Sequence, residues 1–166
     1  MTTAPPHVRP LEREELLRLV ADVAGRPELW RAHLDPTATA RTYAALRRDA
    51  SVDVWAIYWL PENDTGWHDH DTSSGAVQVV EGTLEEHALR LNAPERRTAY
   101  TAGSSFHFGP SHIHRLTCPR GTAVSIHAYS PPLWRLGQYT VDDGGALHRL
   151  SVSYADELRP LEPLAA

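Results

Sequence analysis

From residue 52 onward the chain consists of short runs rich in β-branched, aromatic and other apolar residues, separated by Gly, Pro, Asn and Asp. Short runs between such turn signals are typical of β-strands. Seven strands are predicted, over residues 52–60, 75–81, 84–91, 97–100, 104–108, 114–117 and 123–129. Many short strands at near-regular spacing predict a mainly β fold, an antiparallel β-barrel or jelly roll.

The first 50 residues have a helical pattern instead. Residues 11–24 place apolar side chains at helical spacing and end at Gly25, and two further short helices are predicted over residues 28–34 and 38–48. We expect one domain over residues 1–166, because this length suits a single core. Its parts would be a helical segment (1–50) packed on the barrel, a barrel core (51–140) and an extended or disordered tail (158–166).

Composition limits the partners of the chain. A net charge of −5 gives no electrostatic reason to bind nucleic acid or an anionic membrane, and no run is long and apolar enough to span a bilayer. Cys118 is the single cysteine, which excludes an intramolecular disulfide, and the chain begins without an apolar signal segment. We therefore expect a cytoplasmic protein that acts on a small molecule, as a monomer or weak homo-oligomer.

Histidines recur at two-residue spacing. His68 and His70 form one pair, His112 and His114 form another, and His127 lies in the last predicted strand. Residues two apart on a strand point to the same face, so each pair would send both imidazoles into one cavity. Neutral imidazole is the commonest protein ligand for transition metals, and imidazoles without thiolate suit a catalytic metal with open positions. The sequence therefore predicts a buried metal site and favours an enzyme.

The order of these motifs resembles that of the cysteine dioxygenase family of the cupin superfamily. The family's sequence W…HxH…G…HR…SxHxYSPP recurs within residues 50–135. The matching segments are Trp59, His68-Asp69-His70, Val80-Glu81-Gly82, His114-Arg115 and Ser125 to Pro132. By this resemblance the chain has a cupin-type barrel in which His68, His70 and His114 bind iron(II). Ser125, His127 and Tyr129 would form a hydrogen-bonded relay beside the metal.

The resemblance also implies an activity. The chain would be a non-heme iron(II) thiol dioxygenase, an oxidoreductase that converts a small thiol and O2 to a sulfinic acid. The thiol would be cysteine or a relative such as 3-mercaptopropionate. A thiol bound to a dipositive metal ion loses its proton, and Tyr129 would supply a phenol that His127 and Ser125 hold through hydrogen bonds.

One position departs from related proteins. Many cupins carry a glutamate ligand five residues after the second histidine, and here that place is Gly75. A site of two histidines and one carboxylate is therefore not expected. Animal cysteine dioxygenases carry a cysteine at this position, which becomes linked to the relay tyrosine. With Gly75, and with Cys118 as the only thiol, we expect no such link.

A substrate carboxylate would need an arginine, because a guanidinium presents two parallel donors to it. The candidates are Arg135, just past the Ser-Pro-Pro motif, and the cluster of Arg41, Arg47 and Arg48 before the first predicted strand. Counted back from Trp59, no arginine of this cluster falls at the position where the family carries its carboxylate-binding arginine. Arg135 is therefore favoured slightly.

Several alternatives stay open from the sequence alone. His112 shares a face with His114 and could replace it as a ligand, and Tyr129 could be an ordinary core aromatic. Asp69, between two predicted ligands, should face away from the metal and act structurally. The protein could also be a non-catalytic cupin that senses a metal or ligand, or a zinc or manganese cupin isomerase or hydrolase.

Overall fold

The computed structural model describes residues 9–142 and 146–153. Helix α1 spans Arg13–Ala24, and two single 3-10 turns follow at Pro27–Leu29 and Arg31–His33. Eleven strands follow within the described residues. They are β1 (Thr42–Arg48), β2 (Asp53–Trp59), β3 (Trp67–Asp69), β4 (Ser74–Glu81), β5 (Thr83–Ala88), β6 (Arg96–Thr101), β7 (Ser105–Phe108), β8 (His114–Thr117), β9 (Ala123–Ser130), β10 (Arg135–Val141) and β11 (Leu147–Ser153).

The strands form two antiparallel sheets. One has five strands in the order β1-β2-β9-β4-β7, and the other has six in the order β11-β10-β3-β8-β5-β6. Strands that are neighbours in a sheet are often distant in the chain, as in the pairs β2–β9, β4–β9 and β3–β8. This arrangement confirms the predicted mainly β, jelly-roll fold.

The five-stranded sheet is buried on both faces. Side chains on its inner face, such as Trp59 and Val77, pack against Leu84 and Leu116 of the second sheet. Its outer face is covered by α1, whose Leu16, Val20 and Val23 pack on apolar residues of β2, β4 and β9. Alternate residues of each central strand therefore enter two different cores, because successive side chains point to opposite faces.

The predicted helix over residues 38–48 is wrong. Residues Thr42–Arg48 form β1, which pairs antiparallel with β2. The segment is rich in Ala, Leu and Arg, which favour helices, but pairing with β2 lets Tyr43 pack inward while Ala44 and Leu46 pack on the helix side. Tertiary burial of alternate residues thus overrides a weak local preference.

Other boundaries differ less. The predicted helix over residues 28–34 is broken into the two 3-10 turns, with the buried Trp30 between them. The hairpin β10–β11 extends the six-stranded sheet to Ser153, beyond the predicted core boundary at 140. The predicted tail at 158–166 lies outside the described residues. None of the helices that the structure describes is long and apolar enough to cross a membrane.

Candidate metal centre

Three histidines converge between the two sheets. His68 in β3 lies directly opposite His114 in β8, and His70 follows two residues after His68 on the same face. One ring nitrogen from each residue lies within 4.8 Å of the others, and all three side chains are buried. Cross-strand pairing and the two-residue period therefore build a three-imidazole cluster from short strands.

Two of these three rings use one nitrogen in a hydrogen bond. His114 Nδ1 donates to Glu86 (2.9 Å) and His68 Nδ1 donates to the carbonyl of Gly66 (3.1 Å). The Nε2 atom of His114 and the Nδ1 atom of His70 are buried without a hydrogen-bond partner among the described residues. Buried polar atoms are rarely left unmatched, so these two nitrogens fit a metal ion.

Burial keeps the three rings neutral. It lowers the pKa of His68 to about 3, with further lowering by His114. Burial also holds the pKa of His70 well below its usual value and lowers that of His114. A neutral imidazole is the form that binds a metal ion.

Glu86 is a buried carboxylate of this site that the sequence reasoning missed. One of its oxygens accepts hydrogen bonds from His112 Nε2 and His114 Nδ1, both at 2.9 Å. Burial alone would raise the pKa of Glu86, but these hydrogen bonds lower it to about 2, so the residue is a carboxylate. Glu86 lies on the same face of a predicted strand as Leu84 and Ala88. A carboxylate on that apolar face needs a buried partner, and this position was the available signal in the sequence.

The same contacts separate His112 from His114. His112 is partly exposed and forms a second group with Glu86 and His114. It does not belong to the group of nitrogens formed by His68, His70 and His114. His112 therefore lies beside the carboxylate that orients His114, at the rim of the cluster.

A chain of four buried side chains leads to this cluster. The indole N–H of Trp59 donates to Ser125 Oγ (2.8 Å), Ser125 Oγ lies 2.8 Å from His127 Nε2, and His127 Nδ1 lies 3.0 Å from the hydroxyl of Tyr129. The Tyr129 ring stacks on that of His70, with 5.1 Å between centroids. Burial lowers the pKa of His127 to about 3, so its ring is neutral. The structure thus brings Ser125, His127 and Tyr129 together beside the histidine cluster.

Phe108 occupies the space beside Gly75. A Cβ atom added to Gly75 would lie 2.3 Å from Cζ of Phe108, which is closer than any real contact. The same ring stacks on His70 and lies 4.6 Å, centroid to centroid, from both His70 and His114. A side chain at position 75, carboxylate or thiol, has no room here, so the donor set consists of imidazoles.

A small cavity opens beside the cluster. Arg41, next to β1, is the single arginine among the described residues that line it. Its guanidinium carbon lies 5.1 Å from the Tyr43 ring centroid and 5.0 Å from that of Trp59. The described lining residues include no carboxylate, and Arg41 has no ion pair with any described residue. The cavity therefore contains a positive charge held by aromatic faces and available to an anion.

The other candidate arginines lie elsewhere. Arg47 pairs with Asp49 on the surface. Arg48 pairs with Asp53 and donates to the carbonyl of Leu133 (2.8 Å). Arg135 is exposed and lines a separate surface cavity with Trp134. Of the four candidates, Arg41 thus lines the cavity beside the histidines, whereas Arg135 lines a different one.

Asp69 points away from the histidines. It accepts hydrogen bonds from the backbone N–H of Gly137 (3.0 Å), the Tyr139 hydroxyl (2.5 Å) and two nitrogens of Arg149 (2.8 and 2.9 Å). These contacts tie β3 to the β10–β11 hairpin. The residue between two candidate ligands thus anchors the strand that carries them.

Comparison with known proteins agrees with this geometry. The family model described as cysteine dioxygenase type I matches residues 9–141. A cupin superfamily protein from Desulfitobacterium hafniense is 8% identical, with a TM-score of 0.54 over 63% of this chain and 90% of that chain. A protein with a double-stranded β-helix domain from Klebsiella pneumoniae is 12% identical, with a TM-score of 0.53 over 72% of this chain and 91% of that chain. These two likenesses show the fold.

The cluster predicts a metal-binding experiment. After reconstitution, elemental analysis should find about one metal ion per chain, and His68→Ala or His114→Ala should lose it because each removes a donor. Glu86→Gln should weaken binding about 10- to 100-fold, since it removes the charge that orients His114. His112→Ala is the matched control and should retain the metal. If His112→Ala lost the metal and His114→Ala kept it, His112 rather than His114 would be the ligand.

The contact at Gly75 predicts a steric effect on stability. Gly75→Ala should lower the free energy of unfolding by about 1 to 3 kcal/mol, because the new methyl group must displace the Phe108 ring. Gly109→Ala is the control, since a Cβ there meets no atom within 4 Å. Urea unfolding measures both. Phe108→Leu should recover part of the loss in the Gly75→Ala background, and equal midpoints for the two alanine variants would contradict the packing argument.

Proposed function

Because this chain belongs to the cysteine dioxygenase type I family, we propose that it is a non-heme iron(II) thiol dioxygenase that converts a small thiol and O2 to a sulfinic acid. One observation carries the proposal. The three-histidine cluster and the Ser125-His127-Tyr129 chain meet at the stacked rings of His70 and Tyr129. A protein that only senses a metal has no need of a buried hydroxyl held beside it.

The donor set suits the proposed iron. Bound by His68, His70 and His114, iron(II) would keep both positive charges and supply open positions for a thiolate and for O2. The reaction is balanced without a further reductant: R–SH and O2 give R–SO2H, in which sulfur gains both oxygen atoms. Sulfur gives up four electrons and O2 accepts them.

Tyr129 is the proposed catalytic residue. Tyr129 lines the cavity and its ring stacks on His70, so its hydroxyl is proposed to donate a hydrogen bond or proton to a group bound beside His70. His127 holds that hydroxyl in place, and Ser125 holds His127. A single positioned proton donor contributes typically about 10²- to 10⁴-fold to a rate.

Arg41 supports a thiol that carries a carboxylate. A guanidinium with no ion pair among the described residues faces the cavity, and a carboxylate is the anion that its fork of N–H donors matches. The described lining offers no carboxylate for a substrate ammonium group. We therefore propose a mercapto acid such as 3-mercaptopropionate, or cysteine if its amino group reaches the metal as a neutral ligand.

The remaining walls exclude water from the reacting sulfur. Ile57, Phe108 and Leu116 supply apolar surface around the histidines. A dry pocket strengthens the contact between Arg41 and a carboxylate, and it confines the oxidation of sulfur to one product. The small cavity limits the substrate to a small molecule.

Oxygen consumption tests the function directly. The protein is purified without oxygen, loaded with iron(II), and given cysteine, 3-mercaptopropionate and cysteamine in turn. We expect O2 uptake with a carboxylated thiol, and a product that is heavier by two oxygen atoms. The zinc- and manganese-loaded forms serve as controls and should be inactive. No uptake with any thiol would remove the dioxygenase proposal and favour a binding or hydrolytic cupin.

Arg41 generates a prediction on substrate choice. Arg41→Met should cost about 2 to 4 kcal/mol of transition-state stabilisation for the carboxylated thiol, because it leaves a buried carboxylate without its partner. Cysteamine, which lacks the carboxylate, should be affected much less. Arg135→Met and Arg47→Met are matched controls with unchanged kcat/KM. Equal losses for both thiols in Arg41→Met would show that Arg41 does not bind the carboxylate.

A further inference from the structure

We propose that Trp59 is a positioning residue whose indole N–H fixes the direction of every hydrogen bond from Ser125 to Tyr129. In this direction Ser125 donates to His127, His127 donates to Tyr129, and the Tyr129 hydroxyl keeps its own proton to donate. The role in turnover rests on the proposed function, whereas the direction itself can be measured without it.

At Ser125, two nitrogens lie close to one hydroxyl. Ser125 Oγ lies 2.8 Å from the Trp59 indole nitrogen and 2.8 Å from His127 Nε2, and the serine is fully buried. An indole nitrogen can only donate, so Ser125 must accept from Trp59. Its hydroxyl proton is then directed to the other nearby polar atom, His127 Nε2.

The opposite direction leaves a buried proton unmatched. If His127 Nε2 carried the proton, Ser125 would accept from both Trp59 and His127, and its own hydroxyl would need a third partner. The described residues provide no further acceptor for Ser125 Oγ. A buried donor without an acceptor is costly, so the tryptophan selects the first direction.

His127 passes this choice on to Tyr129. The His127 ring is buried and neutral, so it carries one proton. With Nε2 accepting from Ser125, that proton lies on Nδ1, which is 3.0 Å from the Tyr129 hydroxyl oxygen. Tyr129 accepts there, so the bond with His127 does not use the phenolic proton, which is the proton that the proposed reaction needs.

Trp59 also touches the proposed carboxylate site. Its ring face lies 5.0 Å from the guanidinium carbon of Arg41, while its N–H edge contacts Ser125. Trp59 thus contacts Arg41 and Ser125 through two different groups of one side chain. The substitution Trp59→Phe distinguishes the two contacts, because phenylalanine keeps an aromatic face for Arg41 and lacks the N–H that donates to Ser125.

Histidine-selective nitrogen NMR on the full-length chain tests the direction. The protein is loaded with zinc, a d¹⁰ ion that imidazoles bind and that does not broaden the NMR signals. We expect the His127 signals of the Nδ1–H tautomer, assigned by their loss in His127→Gln. In Trp59→Phe the two tautomers should become mixed. Trp30→Phe is the matched control, since Trp30 is buried and its indole nitrogen has no hydrogen-bond partner among the described residues. An Nε2–H tautomer in the unaltered chain, or an unchanged spectrum in Trp59→Phe, would overturn the proposal.

A double-variant cycle tests the consequence for turnover in the iron-loaded enzyme. Trp59→Phe should lower kcat about 10- to 100-fold, with a smaller change in KM for the carboxylated thiol. In the Tyr129→Phe background it should lower kcat no further, because the donor that Trp59 organises is already absent. Fully multiplicative losses would mean that Trp59 acts independently of Tyr129, and would overturn its role in turnover.

Failure of Trp59→Phe to fold and failure of the protein to oxidise a thiol have different consequences. If Trp59→Phe does not fold, Ser125→Ala interrupts the same link, and the same mixing of His127 tautomers is expected; a retained Nδ1–H tautomer would overturn the proposal. If no thiol is oxidised, the proposed function fails, while the NMR result still decides the direction of the hydrogen bonds.

Discussion

The site depends on the register of β9, a strand buried on both faces. Ser125, His127 and Tyr129 face the second sheet, while Val124, Ile126 and Ala128 pack beneath α1. A shift by one residue would place Ile126 in the cavity and bury His127 under the helix without its partners. The apolar contacts of α1 therefore hold the register, and the register delivers three polar side chains in a row to one cavity.

The two-residue period explains why so much of the candidate site could be predicted. The alternation that identifies a strand also states which side chains share a face, so the grouping of His68 with His70 and of Ser125 with His127 and Tyr129 needs no tertiary information. The jelly-roll fold followed from the same pattern of short strands. The partner of His68 across the sheet, His114, needed the pairing of β3 with β8, which the spacing of motifs along the chain could only suggest.

The segment before β2, predicted as a helix but folded as β1, shows the limit of prediction from local sequence. Helical spacing would separate Arg41 from Tyr43 around a helix, whereas the extended backbone places both on the cavity side. Residues 42–48 form a strand because they pair with the edge of β2. That edge exists only in the folded sheet, so the local sequence does not reveal it. Glu86 was hidden for a similar reason: its role depends on His112 and His114, which reach it across β5 and β8.

The contact between Gly75 and Phe108 has a consequence for how such a site can change over generations. A glutamate or cysteine at position 75 is costly on its own, because the ring of Phe108 already occupies the place of its Cβ atom. The order that avoids this clash places a smaller residue at position 108 first, and that intermediate loses the ring stacked on His70. The three-imidazole cluster is thus separated from carboxylate-containing or crosslinked relatives by two ordered substitutions, of which the first weakens the packing around a candidate ligand.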